Sequence, residues 1–179
     1  MNQLRKNTSV SKSIPKRQHT VNTRSKEQPR TPAGDAVSHL IVQVLQLNGL
    51  LTAAGDALAA PAGQTSARWQ VLAAVEDAPL AVAQIARAMN LARQSVQRVA
   101  DLLVQERLAV YEDNPAHLRA KLLQLTPRGR AALKTIQAAQ RLWAEGLAAG
   151  IGEAKLRAAS SVLGELQQVL GAQNTAQNE

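Results

Sequence analysis

The chain of 179 residues contains no cysteine and no phenylalanine, and its aromatic residues, two Trp and one Tyr, make up only 2% of it. Without cysteine, the chain can form no disulfide, no thiolate metal site and no thiol-based peroxide sensor. Because Phe is absent, helices must pack through Leu, Val, Ile and Ala. The length is sufficient for one domain with a real core, and that core is predicted to be aliphatic.

The sequence also lacks membrane and enzyme signals. No apolar run approaches the roughly 20 residues that span a bilayer, and the N-terminus has no hydrophobic signal core. The histidines, His19, His39 and His117, show no catalytic or metal-ligand spacing. Neither a phosphate-binding glycine loop nor a nucleophile motif is present. We therefore expect a soluble cytoplasmic protein that has no membrane partner, is not an enzyme and holds no metal or cofactor.

Positive charge is unevenly distributed along the chain, whose net charge is +8. Residues 1–33 carry eight Lys or Arg against one acidic residue, and their polar, proline-punctuated composition predicts disorder. This tail is interpreted either as an arm that raises non-specific affinity for DNA or as a variable extension. Residues 68–141 carry eleven basic against six acidic residues, so positive charge also collects in the centre of the chain.

The centre of the chain begins with the pattern of two short helices. Thr65 can cap a first helix, and Pro79 ends the segment because it cannot donate a backbone hydrogen bond. Apolar residues at helical spacing from Val82 to Met89 predict a second helix, and Asn90 can supply the turn after it. This order predicts the first part of a helix-turn-helix.

A third helix and a hairpin follow. Val96, Val99 and Leu103 form one apolar face, which leaves a polar, partly basic face free. From residue 108 the apolar period drops to two, and residues 121–126 form a second β-like run beyond a tip at residues 114–117. Three helices and a two-stranded hairpin predict a winged helix-turn-helix, the arrangement that presents a helix to the major groove of double-stranded DNA.

Further helices flank this segment. A heptad seam precedes it and needs a partner helix, and its members are Val37, Leu40, Val44, Leu47, Leu51, Ala54 and Leu58. Pro127 suits the first turn of a long helix that Gly150 and Gly152 are predicted to break, and a last helix follows. We expect helices from both termini to form a dimerisation platform; the alternative is that they pack within one subunit.

The predicted fold class is mainly α with a small β-wing: a winged helix-turn-helix flanked by dimerisation helices from both termini. The predicted limits are a disordered basic tail at 1–33, a dimerisation helix and linker at 34–64, the DNA-binding domain at 65–128 and C-terminal dimerisation helices at 129–179. We call residues 65–128 the winged module.

The stretch from about residue 65 to residue 133, which contains the winged module, resembles the MarR family of bacterial transcriptional regulators. The blocks that carry the resemblance are Arg68-Trp69-Gln70-Val71-Leu72, Gln84-Ile85-Ala86, Arg93-Gln94-Ser95-Val96-Gln97-Arg98, Asn114-Pro115 with His117, Arg119-Ala120-Lys121, and Leu125-Thr126 with Gly129. The resemblance implies a homodimeric repressor whose recognition helices occupy successive major grooves of a palindromic operator. It also implies wings in the flanking minor grooves and release by a small aromatic or amphipathic effector.

Three positions depart from the family pattern. Ala81 and Ala92 stand where a small hydroxyl residue usually opens a helix, which removes caps worth about 0.5 to 2 kcal/mol each. Ala116 stands near the wing tip where the family usually carries an arginine. We therefore expect looser helix starts and a larger contribution from the wing strand around Arg119.

The sequence offers two sets of site residues. The predicted DNA-binding residues are Arg93, Gln94, Ser95, Gln97, Arg98, His117, Arg119 and Lys121. Among them Gln94, Ser95 and Arg98 are candidates for base edges, whereas Arg119 and Lys121 suit phosphate or sugar. The resemblance implies an effector pocket at which His39, Arg68 and Trp69 lie. The alternatives are a solvated helix face, Trp69 in the core with Arg68 on the surface, and a helical dimeric scaffold whose winged motif binds protein.

Overall fold

The structure, a computed structural model, describes residues 30–117 and 119–176. Apart from its last four residues, the predicted disordered tail lies outside them. The α-helices of the described part are α1 (Pro32–Ala59), α2 (Ser66–Ala74), α3 (Val82–Ala88), α4 (Arg93–Gln105), α5 (Pro127–Ile151) and α6 (Glu153–Ala176), and a 3-10 turn at Ala60–Ala62 extends α1. The strands are β1 (Leu80–Ala81), β2 (Ala109–Glu112) and β3 (Leu122–Leu125). This largely helical architecture with a small sheet confirms the predicted fold class.

Backbone contacts divide the chain into two units, of which the first ends at Ile41. In that unit the backbone N–H of Gly34 donates to Thr31 Oγ1 over 3.1 Å at the start of α1. Arg30 forms an exposed ion pair with Asp35 over 3.6 Å. The second unit begins at Val42 and contains every other element of the described fold.

The helix from Pro32 to Ala62 has the length and apolar composition of a membrane span. This finding corrects the expectation that no apolar segment is long enough. Ser, Thr, Asn and Gln side chains interrupt the apolar runs of this helix, yet its mean hydropathy still reaches 1.3. A single helix of this kind is weak evidence for a membrane, because helices that pack against other helices pass the same test.

The sheet has three strands in the order β1-β3-β2, so the sequence prediction missed one strand, β1. Strand β1 pairs antiparallel with β3 through Leu80↔Leu123 and Ala81↔Leu122. Two residues are too few to show the alternation by which a strand is recognised in a sequence. The predicted hairpin itself is present, since β2 pairs with β3 from Ala109↔Leu125 to Glu112↔Leu122.

Most predicted helix limits are confirmed. The hydroxyl of Thr65 accepts the N–H of Arg68 over 3.4 Å at the start of α2. Asn90 has a φ of 51°, which turns the chain between α3 and α4. Pro127 lies in the first turn of α5. Gly150, however, lies inside α5, and only Gly152, with a φ of 92°, separates α5 from α6.

The departures at Ala81 and Ala92 have different outcomes. Neither alanine supplies a side-chain cap. At α3, Gln84 compensates in part, because its Oε1 accepts the backbone N–H of Ala81 over 2.9 Å. At α4 the carbonyl of Ala92 accepts the N–H groups of Ser95 and Val96 over 3.0 and 3.2 Å, but its side chain offers no acceptor, so this helix end has no side-chain cap.

The core of the winged module is aliphatic, as the composition predicts. Its largest fully buried side chains include those of Leu72, Ile85, Leu103 and Leu123. The start of α5 packs closely on this core, because a Cβ atom added at Gly129 would collide with the carbonyl oxygen of the residue that precedes β2. The core therefore fixes the orientation of α4 and of the wing that follows it.

Candidate nucleic-acid interface

Helix α4 is buried on one side and exposed on the other. Val96, Ala100 and Leu103 lie in the core, and this spacing leaves the opposite face free. The side chains of Arg93, Gln94, Ser95 and Arg98 are all exposed on α4. The structure thus places four of the predicted DNA-binding residues within the first two turns of one helix, where an uncapped helix N-terminus favours an anionic partner.

The wing follows α4 through Arg107, whose φ of 60° ends the helix. At the wing tip, Asn114 Oδ1 accepts the backbone N–H of Ala116 over 3.0 Å, which stabilises a turn. The side chains of His117, Arg119 and Lys121 are exposed, whereas Ala116 presents no cation. The basic groups of the wing therefore lie behind its tip, at the approach to β3.

A cleft of about 220 Å³ brings the helix and the wing together. It is lined by Arg93 from α4 and by Arg119 and Lys121 from the wing, together with the beginning of α3. Three predicted cations thus surround one concave surface. Such a surface suits a phosphate group, because guanidinium and ammonium groups both bind phosphate oxygens through charge-assisted hydrogen bonds.

The remaining predicted residue of α4, Gln97, is half-buried and differs from its neighbours. Its Nε2 donates to Asp101 Oδ1 over 2.9 Å and to the Tyr111 hydroxyl over 2.8 Å. The Tyr111 hydroxyl in turn donates to Asp101 Oδ1 over 2.8 Å. Both N–H groups of Gln97 are thus used within the protein, and only its Oε1 is free to accept from a base.

Neither Tyr111 nor Asp101 is among the site residues predicted from the sequence. Burial, followed by the hydrogen bond and the charge of Asp101, raises the pKa of Tyr111 to about 12. The hydroxyl therefore stays a neutral donor throughout the physiological range. The spacing of Gln97 and Asp101, four residues apart on a helix, predicts that they are neighbours. Only the packing of β2 against α4 adds the tyrosine.

The three predicted effector residues fall in different places. Arg68 donates to both carboxylate oxygens of Glu106, over 3.0 and 2.6 Å, and its side chain is only 19% exposed. This ion pair joins α2 to the end of α4, so Arg68 has a structural partner that the sequence did not reveal. His39 is exposed in the first unit, and its effector role stays a prediction.

Trp69 lines a pocket of about 600 Å³ within the second unit. Apolar side chains dominate the lining, and they include Leu51, Leu58, Met89 and Trp143. Nearby, Asp56 Oδ1 accepts the backbone N–H of Ser66 over 2.7 Å, which links α1 to the start of α2. Trp143 lies on α5, and its separation from Trp69 by 74 residues of sequence gives no local signal of their common pocket.

The fold and this exposed helix with its basic wing define a winged helix-turn-helix protein. The family model of the MarR family matches residues 62–120. Uncharacterized proteins of Mycobacterium tuberculosis and Mycobacterium bovis are 45% identical to the chain over 102 residues, which cover 57% of this chain and 71% of theirs.

Two solved structures show the same fold. The Mycobacterium tuberculosis transcriptional regulator MosR in complex with DNA is 21% identical with a TM-score of 0.61, covering 73% of this chain and 96% of its own. Bordetella bronchiseptica BpsR, whose DNA binding is regulated by 6-hydroxynicotinic acid, is 22% identical with a TM-score of 0.60, covering 74% of this chain and 98% of its own. The chain belongs to the MarR family, whose members are transcription regulators and not enzymes.

Proposed function

We propose that the chain is a homodimeric repressor that binds a palindromic operator in double-stranded DNA and is released by a small aromatic or amphipathic effector in the cytoplasm. The observation that carries this proposal is the exposed N-terminal half of α4 beside the basic cleft of the wing. The competing scaffold, in which the winged motif binds protein, is not favoured because the family consists of transcription regulators.

In the proposed complex, α4 enters the major groove. Gln94, Ser95 and Arg98 contact base edges, and a bidentate Arg–guanine or Gln–adenine contact contributes about 1 to 3 kcal/mol of discrimination. Arg93, Arg119 and Lys121 hold phosphates or sugars around the cleft, and His117 lies near the tip. Gln97 is assigned a smaller share of the base contacts, because its N–H groups are already engaged.

The proposed dimer rests on apolar side chains that the described chain leaves uncovered. On α1, α5 and α6 of the second unit these include Val44, Leu45, Leu47, Leu50, Leu142, Leu147, Ile151, Val162, Leu163, Val169 and Leu170. Exposed apolar surface of this extent marks an interaction site in soluble proteins. Helices of a second copy would cover it and would place two α4 helices on one face of the DNA.

The proposed effector site is the pocket that contains Trp69 and Trp143. Its volume of about 600 Å³ and its largely apolar lining fit a small aromatic molecule. An effector releases DNA only if it binds more tightly to a conformation in which the two α4 helices are wrongly spaced, and such coupling amounts to about 1 to 3 kcal/mol. The regulation of BpsR by 6-hydroxynicotinic acid, a small aromatic acid, supports this proposal because BpsR has the same fold.

The decisive experiment is selection of bound duplexes from a random pool by the purified full chain. We expect a two-fold symmetric site with half-sites about 34 to 36 Å apart. Arg98→Ala should lose preference at one base position, whereas Lys121→Ala should weaken all duplexes alike and flatten the salt dependence. Arg130→Ala, an exposed cation on α5, is the matched control. Failure to enrich any duplex would favour the scaffold.

A further inference from the structure

The hydroxyl of Tyr111 and the side chains of Gln97 and Asp101 form a closed triangle between the wing and α4. The three contacts are Gln97 Nε2 to the Tyr111 hydroxyl at 2.8 Å, Tyr111 hydroxyl to Asp101 Oδ1 at 2.8 Å, and Gln97 Nε2 to Asp101 Oδ1 at 2.9 Å. Each distance is that of a well-formed hydrogen bond. The triangle therefore ties one strand of the wing to two successive turns of α4.

The position of this triangle matters for both halves of the candidate interface. Gln97 lies one turn after Arg93, and both residues line the same cleft as Arg119 and Lys121. Tyr111 is the register partner of Leu123 on β3, the strand that begins directly after Lys121. A shift of Tyr111 relative to α4 would thus carry the wing cations away from Arg93.

The hydrogen bonds of the triangle hold β2 at a fixed distance from α4. Tyr111 is half-buried, and a hydroxyl withdrawn from water needs hydrogen-bond partners. Here the hydroxyl both donates and accepts, so its two partners restrict its position from two directions. The raised pKa of Tyr111, near 12, means that this donor is retained under all conditions in which the protein would meet DNA.

We propose that Tyr111 is a positioning residue that, through Gln97 and Asp101, sets the distance between the recognition helix and the wing and thereby fixes which flanking base pairs the wing contacts. The inference rests on the proposed DNA binding. It assigns no direct DNA contact to Tyr111. It separates the specificity of the site into a central part read by α4 and an outer part that depends on the triangle.

The test compares duplexes selected from one random pool by the wild-type chain and by Y111F, which removes the hydroxyl and keeps the ring. We expect the central positions to be retained, the preference at the outer positions to weaken, and the ratio of operator to random-DNA affinity to fall roughly three- to tenfold, as loss of one or two hydrogen bonds implies. Val110→Thr, an exposed change next to Tyr111 on β2, is the control.

Changes at Asp101 provide a conservative rescue. D101N keeps an oxygen that accepts from Tyr111, so its affinity ratio should stay close to that of the wild type. D101A removes the acceptor and should resemble Y111F. Both variants remove the same negative charge near the DNA, so a purely electrostatic role for Asp101 would make them equal and would overturn the proposal. If Y111F does not fold, the comparison of D101N with D101A still tests the proposal.

The triangle can be checked in the free protein, because Tyr111 is the only tyrosine of the chain. Absorbance of the tyrosinate should appear near pH 12 in the wild type and at lower pH in D101N. A wild-type chain that enriches no duplex would overturn the proposed function and this inference together. A wild-type chain that selects a site which Y111F selects identically would overturn the inference alone.

Discussion

The winged module and the long helices differ in how much of their apolar surface the described chain covers. The side chains of Ile85 and Leu103 in the module are completely buried. On the long helices, by contrast, Leu50 is 70% and Leu142 is 79% exposed. The module has a packed core, to which the start of α5 contributes Leu133, whereas the long helices leave apolar side chains exposed. The two regions therefore differ in how completely the described chain buries their apolar side chains.

This contrast separates the side chains that stabilise each subunit from those that the proposed dimer would use for association. Substitutions in the module should change the stability of each subunit. Substitutions on the exposed helix faces should change the association of subunits and leave the module intact. The following changes test this difference, beginning with the largest expected effect.

Ile85→Ala should cause the largest loss of stability. It removes apolar atoms from a side chain that is 0% exposed and leaves a cavity that close packing cannot fill. We expect the free energy of unfolding to fall by about 2 to 5 kcal/mol, measured by denaturant titration. Leu102→Ala on α4, where the leucine is 43% exposed, is the control and should cost less. Equal losses at the two positions would show that burial of the side chain does not determine the cost of its removal.

Leu47→Glu should weaken the proposed dimer while sparing the module. Leu47 is 48% exposed on α1, and a charge at this position would enter the proposed interface. Burial of one leucine contributes about 1.5 to 3 kcal/mol, so sedimentation should show dimerisation at least about tenfold weaker. Gln46→Glu adds the same charge at the neighbouring exposed position without removing apolar surface. If both variants dimerise like the wild type, this side of α1 lies outside the interface.

Thr126→Ala should have a smaller effect at the boundary between the two regions. The Thr126 hydroxyl accepts the N–H of Gly129 over 3.1 Å and caps α5. The same hydroxyl also donates to the carbonyl oxygens of Arg107 and Leu108. Its removal loses the cap together with this contact and should lower the free energy of unfolding by about 1 to 2 kcal/mol. Thr135→Ala is the matched control, because that hydroxyl only donates to the carbonyl of Ala131 within the same helix. A loss at Thr135 as large as that at Thr126 would argue against the cap.

Ionisation of Tyr111 should leave the free energy of unfolding unchanged at neutral pH and should lower it at high pH. Its pKa is raised from 10.0 to about 12, so the neutral hydroxyl is favoured in the folded state. The stabilisation is fully present below pH 10 and is lost as the pH rises from 10 towards 12. The difference in free energy of unfolding between the wild type and Y111F should therefore shrink over this interval. A constant difference would contradict the raised pKa of Tyr111, which owes most to burial and less to Asp101.

Features that depend on neighbours in sequence were predictable. Thr65 caps α2, Asn90 makes the turn and Pro127 opens α5, because caps, left-handed turns and proline act within a few residues. The exposed face of α4 was also predictable, since three buried positions at helical spacing leave the opposite side free. Gly150 shows the limit of such rules, because a glycine inside a long helix is tolerated.

Features that join distant segments were not predictable. Strand β1 exists only because β3 pairs with it, and Arg68 meets Glu106 across 38 residues of sequence. The same holds for the pocket shared by Trp69 and Trp143 and for the triangle at Tyr111. In each case the sequence contains the side chains but carries no local signal of their pairing.

The sequence alone determined the family, the order of the elements apart from β1, and the polar face of α4. The element order and the polar face follow from short-range periodicity, caps and turns. Only the tertiary structure decided which cations share the cleft, that Gln97 is held by Tyr111 and Asp101, and which apolar faces stay uncovered. The physical reason is that burial and hydrogen bonding between distant segments depend on how the core packs. That packing is a property of the whole chain and not of any one segment.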